Sequence, residues 1–153
     1  MIQKLRERSG SESGFTLVEL LVVMLILGLL AAIAIPSFFN QRDKARDADA
    51  KSGVRTAQTA IETWATDNDG AYNTGGGPDA GDLRAIESTL NDVDLEDPTG
   101  LTADGYTVTV TSENTSGGAH TFSITRAPSG VVTHPCSAPA SDPDGCPSGG
   151  DWG

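Results

Sequence analysis

One carboxylate stands at the start of a long apolar stretch: Glu19, within the residues GFTLVEL at positions 14–20. It is the only charged residue between Phe15 and Phe39. An ionisable side chain costs on the order of a few kcal/mol in an apolar helix of membrane-spanning length. It therefore persists where it has a partner and a task. The sequence therefore predicts that Glu19 has a specific partner in apolar surroundings.

Cys136 and Cys146, the only cysteines of the chain, close a short segment rich in Pro, Gly and Asp. Two cysteines ten positions apart in such a loop suit a local disulfide. A bridge at this place implies export to an oxidising compartment. The alternative is a pair of free thiols.

Aspartates are paired in two turn-like segments, Asp67 with Asp69 and Asp142 with Asp144. Each pair could contribute to calcium binding, but two carboxylates fall short of the roughly six to eight oxygens that calcium takes. Aspartate is also a common turn residue. The chain shows no nucleophile beside a base and no phosphate-binding loop. We therefore expect no metal, no cofactor and no enzymatic activity.

Charge is unevenly distributed along the chain. Beyond Arg55 there are 13 more acidic than basic residues, which disfavours nucleic acid as a partner because phosphate neutralisation needs clustered Lys and Arg. Basic residues that follow the apolar stretch alternate with aspartates: Arg42, Lys44, Arg46, Lys51 and Arg55 with Asp43, Asp47 and Asp49. We interpret them as a solvated helix face, with a contact to lipid headgroups or to a neighbouring subunit as the alternative. His120 and His134 lie in polar sequence near turns and are predicted to be ordinary surface residues.

The apolar stretch has the length of a membrane-spanning helix. The 25 residues from Phe15 to Phe39 would extend over about 37 Å as a helix, against a hydrocarbon core of about 30 Å. Pro36 is expected to kink this helix and Gly28 to loosen it. Residues 1–14 are short, polar and basic, as in the first region of a targeting segment.

Beyond Pro36 the helix is predicted to continue as an amphipathic segment over residues 40–66. Apolar residues recur there at helical spacing: Ala50, Val54, Ala57, Ile61 and Trp64. Gly70 offers a C-terminal stop. The pattern therefore predicts one helix of about 50 residues whose second half packs on a head.

Residues 67–153 are predicted to form that globular head. We expect a short helix over Asp82–Leu90 and three strands, Tyr106–Thr111, Thr121–Arg126 and Gly130–His134. The first two strands alternate in polarity, and the turn-rich segment between them suits a hairpin. The predicted fold class is α+β: a long N-terminal helix packed on a small antiparallel sheet, with a C-terminal disulfide loop.

The N-terminus admits more than one interpretation. A secretory signal peptide would be cut after the A-x-A pattern that ends at Ala34, whereas an uncleaved anchor would keep the whole apolar stretch. Three basic residues precede the stretch and five follow it, so counting Lys and Arg places the C-terminal side in the cytoplasm. The predicted disulfide places it outside, and we give that argument more weight because an early basic region often dominates orientation.

A third interpretation rests on residues 14–20. A glycine, then Phe-Thr-Leu-Val-Glu-Leu, then an apolar helix with a proline near its end resembles the type IV prepilin family, including the pseudopilins of type II secretion and the competence pilins. The resemblance covers residues 9 to about 46. The head agrees in general plan and aligns with no single subfamily.

This resemblance implies how the N-terminus is processed. A prepilin peptidase and methyltransferase would cleave after Gly14 and methylate the new amino group of Phe15. Glu19 would then receive the Phe15 amine of a neighbouring subunit and set its register, since an axial mismatch leaves a buried charge unpaired. Gly28 and Pro36 would bound a region that can lose helicity in the filament.

The implied organisation has four parts: a cleaved leader at 1–14, a transmembrane and filament-core helix at 15–39, its amphipathic continuation at 40–66 and the head at 67–153. Before assembly the chain would span the inner membrane once, in contact with lipid, with the leader cytoplasmic and the head exported. An inner-membrane assembly platform would then build it into an extracellular homopolymer.

The implied function is that of a structural subunit of a type IV pilus used for adhesion, twitching motility or surface sensing. Two alternatives keep the same assembly chemistry: a pseudopilin of type II secretion and a competence pilin for DNA uptake. A third alternative, a single-span anchored binding domain, does not polymerise.

Overall fold

The longest element is helix α1, Leu17–Asp67, in a computed structural model that describes residues 14–112, 118–140 and 145–153. The expectation of one helix of about 50 residues is confirmed. Its C-terminus is closed by Gly70, whose N–H donates to the Ala65 carbonyl at 2.8 Å. Gly70 has a φ of 80°, a left-handed conformation that glycine adopts at little cost.

Two compact units make up the chain; the first ends at Phe38 and the second extends from Phe39 to Gly153. In the first unit, the described residues from Leu17 onward form the apolar part of α1. In the second, α1 packs by its apolar stripe on a small antiparallel sheet, and both contribute to one hydrophobic core. The predicted α+β class is therefore confirmed.

Five strands of the described residues form the sheet: β1 (Asp94–Leu95), β2 (Tyr106–Ser112), β3 (His120–Arg126), β4 (Val132–Thr133) and β5 (Cys136–Ser137). They run in the order β1-β2-β3-β4, and β5 also pairs with β3. The β2–β3 register sets Val108 opposite Ile124 and Val110 opposite Phe122. Alternate residues of both strands are buried, as expected for a sheet with one covered face.

The core consists of small helix residues against larger strand residues. The α1 stripe Ala50, Val54, Ala57 and Ile61 is buried, as predicted, whereas Trp64 is only partly buried. Ala60 and Ala65 are buried beside them. Alanine on the helix lets the backbone lie close to the bulky face of the sheet.

The connection between α1 and the sheet differs from the prediction in its details. The short helix expected over 82–90 is split into α2, Ala80–Ile86, and a 3-10 turn, Ser88–Asp92. Asp79 caps α2 by accepting a hydrogen bond from the Asp82 N–H at 2.8 Å. The break falls at Glu87, whose extended backbone leaves Ile86 at the helix end and 39% exposed.

The C-terminal segment is fixed by a disulfide and by backbone pairing. Cys136 and Cys146 are bonded, which confirms the predicted bridge, and their Cα atoms are 5.7 Å apart. The Cys136 N–H donates to the Gly150 carbonyl at 2.9 Å. The Trp152 indole N–H donates to the Ser123 carbonyl at 3.1 Å. The chain end therefore lies along β3 and not free in solvent.

Candidate functional site

Glu19 forms a reciprocal hydrogen-bonded cap with Thr16 at the start of α1. Its Oε2 accepts from the Thr16 N–H and from the Thr16 hydroxyl, both at 2.8 Å. The Glu19 N–H in turn donates to the Thr16 Oγ1 at 3.2 Å. This Thr-x-x-Glu pattern satisfies N–H groups that the first helical turn leaves without partners. The cap holds the Glu19 carboxylate against the N-terminal end of the helix.

Gly14 and Phe15 lie just before that cap, outside the helix. Both are exposed, Phe15 at 84%, and no heavy atom lies within 4 Å of where a Gly14 side chain would begin. A non-helical, open backbone is what a peptidase needs in order to reach a peptide bond. The remaining expected leader residues, 1–13, lie outside the described part of the chain.

The apolar part of α1 presents its side chains outward all round the helix. Exposure of the large apolar residues there ranges from 46% at Phe39 to 72% at Leu17. Among the described residues there is one helix long and apolar enough to cross a membrane, and none of its most apolar window is buried. A helix that is apolar on every face needs lipid or other helices around it.

Gly28 and Pro36 both lie inside α1. No neighbouring atom lies within 4 Å of a Cβ built on Gly28, so packing does not require glycine there. Pro36 removes one backbone N–H from the helix. The proposed kink and the loss of helicity between these two positions remain predictions.

The prediction for His120 is wrong. His120 is 1% exposed, and its Nδ1 lies 3.0 Å from Oδ2 of Asp47, which is itself 5% exposed. The strand begins at His120, one residue earlier than expected, so His120 shares the buried face with Phe122 and Ile124. The alternation His-x-Phe-x-Ile was the signal that could have shown this. His134 is half-buried, with its ring centroid 5.2 Å from that of Trp152.

The prediction that the aspartates after the apolar stretch lie on a solvated helix face is wrong for two of the three. Asp43 and Asp47 are 6% and 5% exposed, whereas Asp49 is exposed as expected. Asp43 and Asp47 precede Ala50 and Val54 at spacings of four, three and four, which continues the buried stripe toward the N-terminus. Their polarity concealed this, although the spacing could have revealed it.

A second polar centre, which the sequence did not indicate, joins α1 to the sheet and to the following turn. Glu62 accepts hydrogen bonds from the Tyr72 hydroxyl at 2.7 Å and from the Tyr106 hydroxyl at 2.8 Å. Arg126 Nη1 lies 3.7 Å from the same carboxylate. Burial, together with the Glu62 carboxylate, raises the pKa of Tyr72 to about 12. The same causes raise the pKa of Tyr106.

Metal ligands do not come together in the described ranges, where no three His, Cys, Asp or Glu side chains are placed to hold an ion. Asp67 ends α1 and Asp69 follows with a φ of 60°, which agrees with a turn position. Asp142 and Asp144 lie outside the described residues.

Comparison with known proteins finds one family model, and it matches at the N-terminus. Residues 10–35 match the model of the prokaryotic N-terminal methylation motif. The chain is 39% identical over 57 residues to the type II secretion system core protein G of Pseudomonas aeruginosa, covering 37% of this chain and 40% of that protein. It is 39% identical over 56 residues to the type IV major pilin protein PilA of Myxococcus xanthus, covering 37% and 26%.

A further match extends beyond the length of α1. The chain is 34% identical over 95 residues to the type II secretion system core protein G of Pectobacterium carotovorum subsp. carotovorum, covering 62% of this chain and 56% of that protein. These matches span between about a quarter and a little over half of the relatives' own lengths. No solved structure matches the chain significantly.

Proposed function

Because the chain belongs to the family of type IV pilins and type II secretion pseudopilins, we propose that it is the structural subunit of a type IV pilus. The observation that carries this proposal is the outward-facing apolar part of α1 with one capped carboxylate at its start. Leu, Ile, Val and Ala side chains pack as well among identical helices as in lipid, so transfer from bilayer to filament costs little apolar burial.

Processing prepares the N-terminus for assembly. The peptidase cleaves the bond between Gly14 and Phe15, and the new Phe15 amine is methylated. Phe15 precedes Glu19 by four positions, which corresponds to about 6 Å along the axis once the helix extends to Phe15, at roughly 1.5 Å per residue. Before assembly the chain spans the inner membrane once, with its leader in the cytoplasm and its head exported. The assembly platform then transfers it to the filament.

Glu19 sets the register of the incoming subunit. Its carboxylate is held at the N-terminal end of α1 by Thr16, where it can receive the Phe15 amine of a neighbouring subunit. In low-dielectric surroundings the attraction is strong, and a subunit displaced along the axis would leave a charge unpaired. Such a head-to-tail contact does not close and so builds an open helical fibre.

A pseudopilin of type II secretion is the second candidate. It is favoured by the 95-residue match to a type II secretion core protein G, which is longer than α1 and so includes residues beyond it. Deleting the gene separates the two candidates. Loss of sheared surface filaments with unchanged secreted proteins supports the pilus, and the reverse result supports the pseudopilus.

Substitution of Glu19 tests the assembly role directly. Glu19→Ala removes the partner of the incoming amine while easing membrane insertion, so the chain should be made, anchored and cleaved, yet yield few or no filaments. Glu19→Asp keeps the charge with a shorter reach and should give an intermediate yield. The measurement is the ratio of sheared filament to mature membrane-bound subunit at matched expression. A wild-type ratio in Glu19→Ala would overturn the role of Glu19 in assembly, whereas absence of filaments from the wild-type chain would favour an anchored domain that does not polymerise.

A further inference from the structure

An elongated groove lies beside the second half of α1, in the second unit. Three adjoining cavities of about 510, 260 and 440 Å³ form it between α1 and the segment from α2 to β1. The first two share Asp49, Asp92 and Val93 in their walls, and the last two share Thr56. The groove is therefore continuous along the helix.

Short hydroxyl side chains form the α1 wall of this groove. Ser52, Thr56, Thr59 and Thr63 recur at spacings of four, three and four, which places them on one helix face. Thr56, Thr59 and Thr63 each donate a hydrogen bond to the carbonyl four residues earlier. These hydroxyls are satisfied by their own helix and so need no partner, and the short side chains leave room for a neighbouring chain.

The end of the groove nearer the start of the second unit is acidic. Asp49, Asp92 and Asp94 are exposed there, and within the described part of the chain none of them forms an ion pair. Arg46 lies at the same end. Ser112 also lines this cavity, is 2% exposed, and has a buried hydroxyl with no hydrogen-bond partner among the described residues. A buried hydroxyl and three unpaired carboxylates together favour a ligand that donates hydrogen bonds.

The same chain carries a complementary group of cations. Arg42 and Lys44 are exposed on α1, and neither forms an ion pair in the described ranges. Two cations further along α1 are used within the head: Lys51 Nζ lies 4.9 Å from the centroid of the Phe122 ring, and Arg55 lies 5.0 Å from that of Trp152. Arg42 and Lys44 are therefore available to a partner.

Arg42 and Asp49 do not pair within one copy. Arg42 precedes Asp49 by two helical turns on the same face, about 10 Å along the axis, beyond salt-bridge distance. A parallel second copy displaced by about this distance would bring its Arg42 and Lys44 beside the groove carboxylates of the first. The contact joins different surfaces of the two copies, so it can repeat without closing.

We propose that the groove walled by Asp49 and Asp92 receives the Arg42–Lys44 segment of a second copy of this chain. The inference rests on the proposed function, because it assumes that subunits polymerise. It adds to the Glu19 contact a second, charge-based contact between heads. Oppositely charged surfaces of this kind fix register and suppress wrong pairings.

Charge reversal tests the contact in the full-length chain. The double variant Arg42→Glu with Lys44→Glu, and separately Asp49→Lys with Asp92→Lys, should each lower the ratio of sheared filament to mature subunit at least about tenfold, since like charges then face each other. The fourfold variant, which exchanges both signs, should recover filaments. Asp67→Lys, an exposed aspartate outside the groove, should leave the ratio unchanged.

Two outcomes overturn the inference. The first is a wild-type ratio in both double variants; the second is loss of filaments without recovery in the fourfold variant, which would assign the groove to another partner. Mature subunit with an oxidised Cys136–Cys146 bridge, measured in every variant, shows that the head has folded. If the wild-type chain forms no filaments at all, the proposed function fails before the groove is tested.

Discussion

Gly145 lies against the buried pair of Asp47 and His120. A Cβ at this position would collide with Asp47 Oδ2 and with His120 Nδ1. The glycine has no left-handed backbone, so its role is to leave space and not to supply conformational freedom. Gly145, in the disulfide loop, therefore leaves the space that the buried contact between Asp47 on α1 and His120 on β3 requires.

We expect Gly145→Ala to lower the free energy of unfolding by about 1–3 kcal/mol, because an added methyl group must displace buried polar atoms. Gly149→Ala is the matched control, since no heavy atom lies within 4 Å of the point that its new Cβ would occupy, and should change the free energy by less than about 0.5 kcal/mol. Urea unfolding of the detergent-solubilised chain, followed by tryptophan fluorescence, measures both. Equal stabilities for the two variants would contradict the close packing at Gly145.

Single residues were also where sequence reasoning succeeded and failed most clearly. The two cysteines could be paired because they stand out from their local composition. Glu19 stands out in the same way, and its role in assembly stays a prediction. The burial of His120 and Asp47 could have been inferred from local spacing, but the partners of His120, Asp47 and Glu62 could not. Asp47 and His120 are 73 positions apart. The sequence around a polar residue does not show which distant residue it will pair with in the fold.

Among the elements, α1 and the β2–β3 hairpin were predicted nearly to the residue, because both have long and regular polarity patterns. Strands β1 and β5 were missed. Each has two residues, too short for alternation to be recognised. The prediction of one helix over 82–90 joined α2 to the following 3-10 turn. Leu83 and Leu90 are both buried, which resembles one helix face, although the chain changes direction between them.

The contact of α1 with the sheet through Glu62 predicts a pH dependence. A tyrosine hydroxyl ordinarily ionises near pH 10, and the pKa of Tyr72 is raised to about 12 by burial and by Glu62. Between pH 10 and 12 the folded chain keeps a proton that the unfolded chain has lost, so the free energy of unfolding falls as the pH rises.

We therefore expect the stability of the wild-type chain to fall between pH 10 and 12, and the Tyr72→Phe, Tyr106→Phe variant to show a flatter dependence. These are the only two tyrosines of the chain, so the variant removes all tyrosine ionisation. Urea midpoints measured at intervals across this range provide the test. Parallel curves for the two proteins would show that the Glu62 centre does not control alkaline stability.

For the whole molecule, the disulfide and the apolar helix must both be consistent with the side of the membrane on which the head lies. A bridge between Cys136 and Cys146 closes a small ring, which contributes up to roughly 3 kcal/mol in the loop-entropy account. In mature protein isolated without reductant and then denatured, we expect neither cysteine to react with an alkylating reagent. Reduction should expose both. Two reactive thiols before reduction would contradict export of the head.

The most direct test of the account is the intact mass of the subunit in filaments sheared from the cell surface. We predict a chain that begins at Phe15, carries one methyl group on the Phe15 amine and contains the Cys136–Cys146 bridge. A subunit that begins at Met1 or at Ile35, or absence of the chain from surface filaments while it is abundant in the membrane, would contradict the assignment as a pilus subunit.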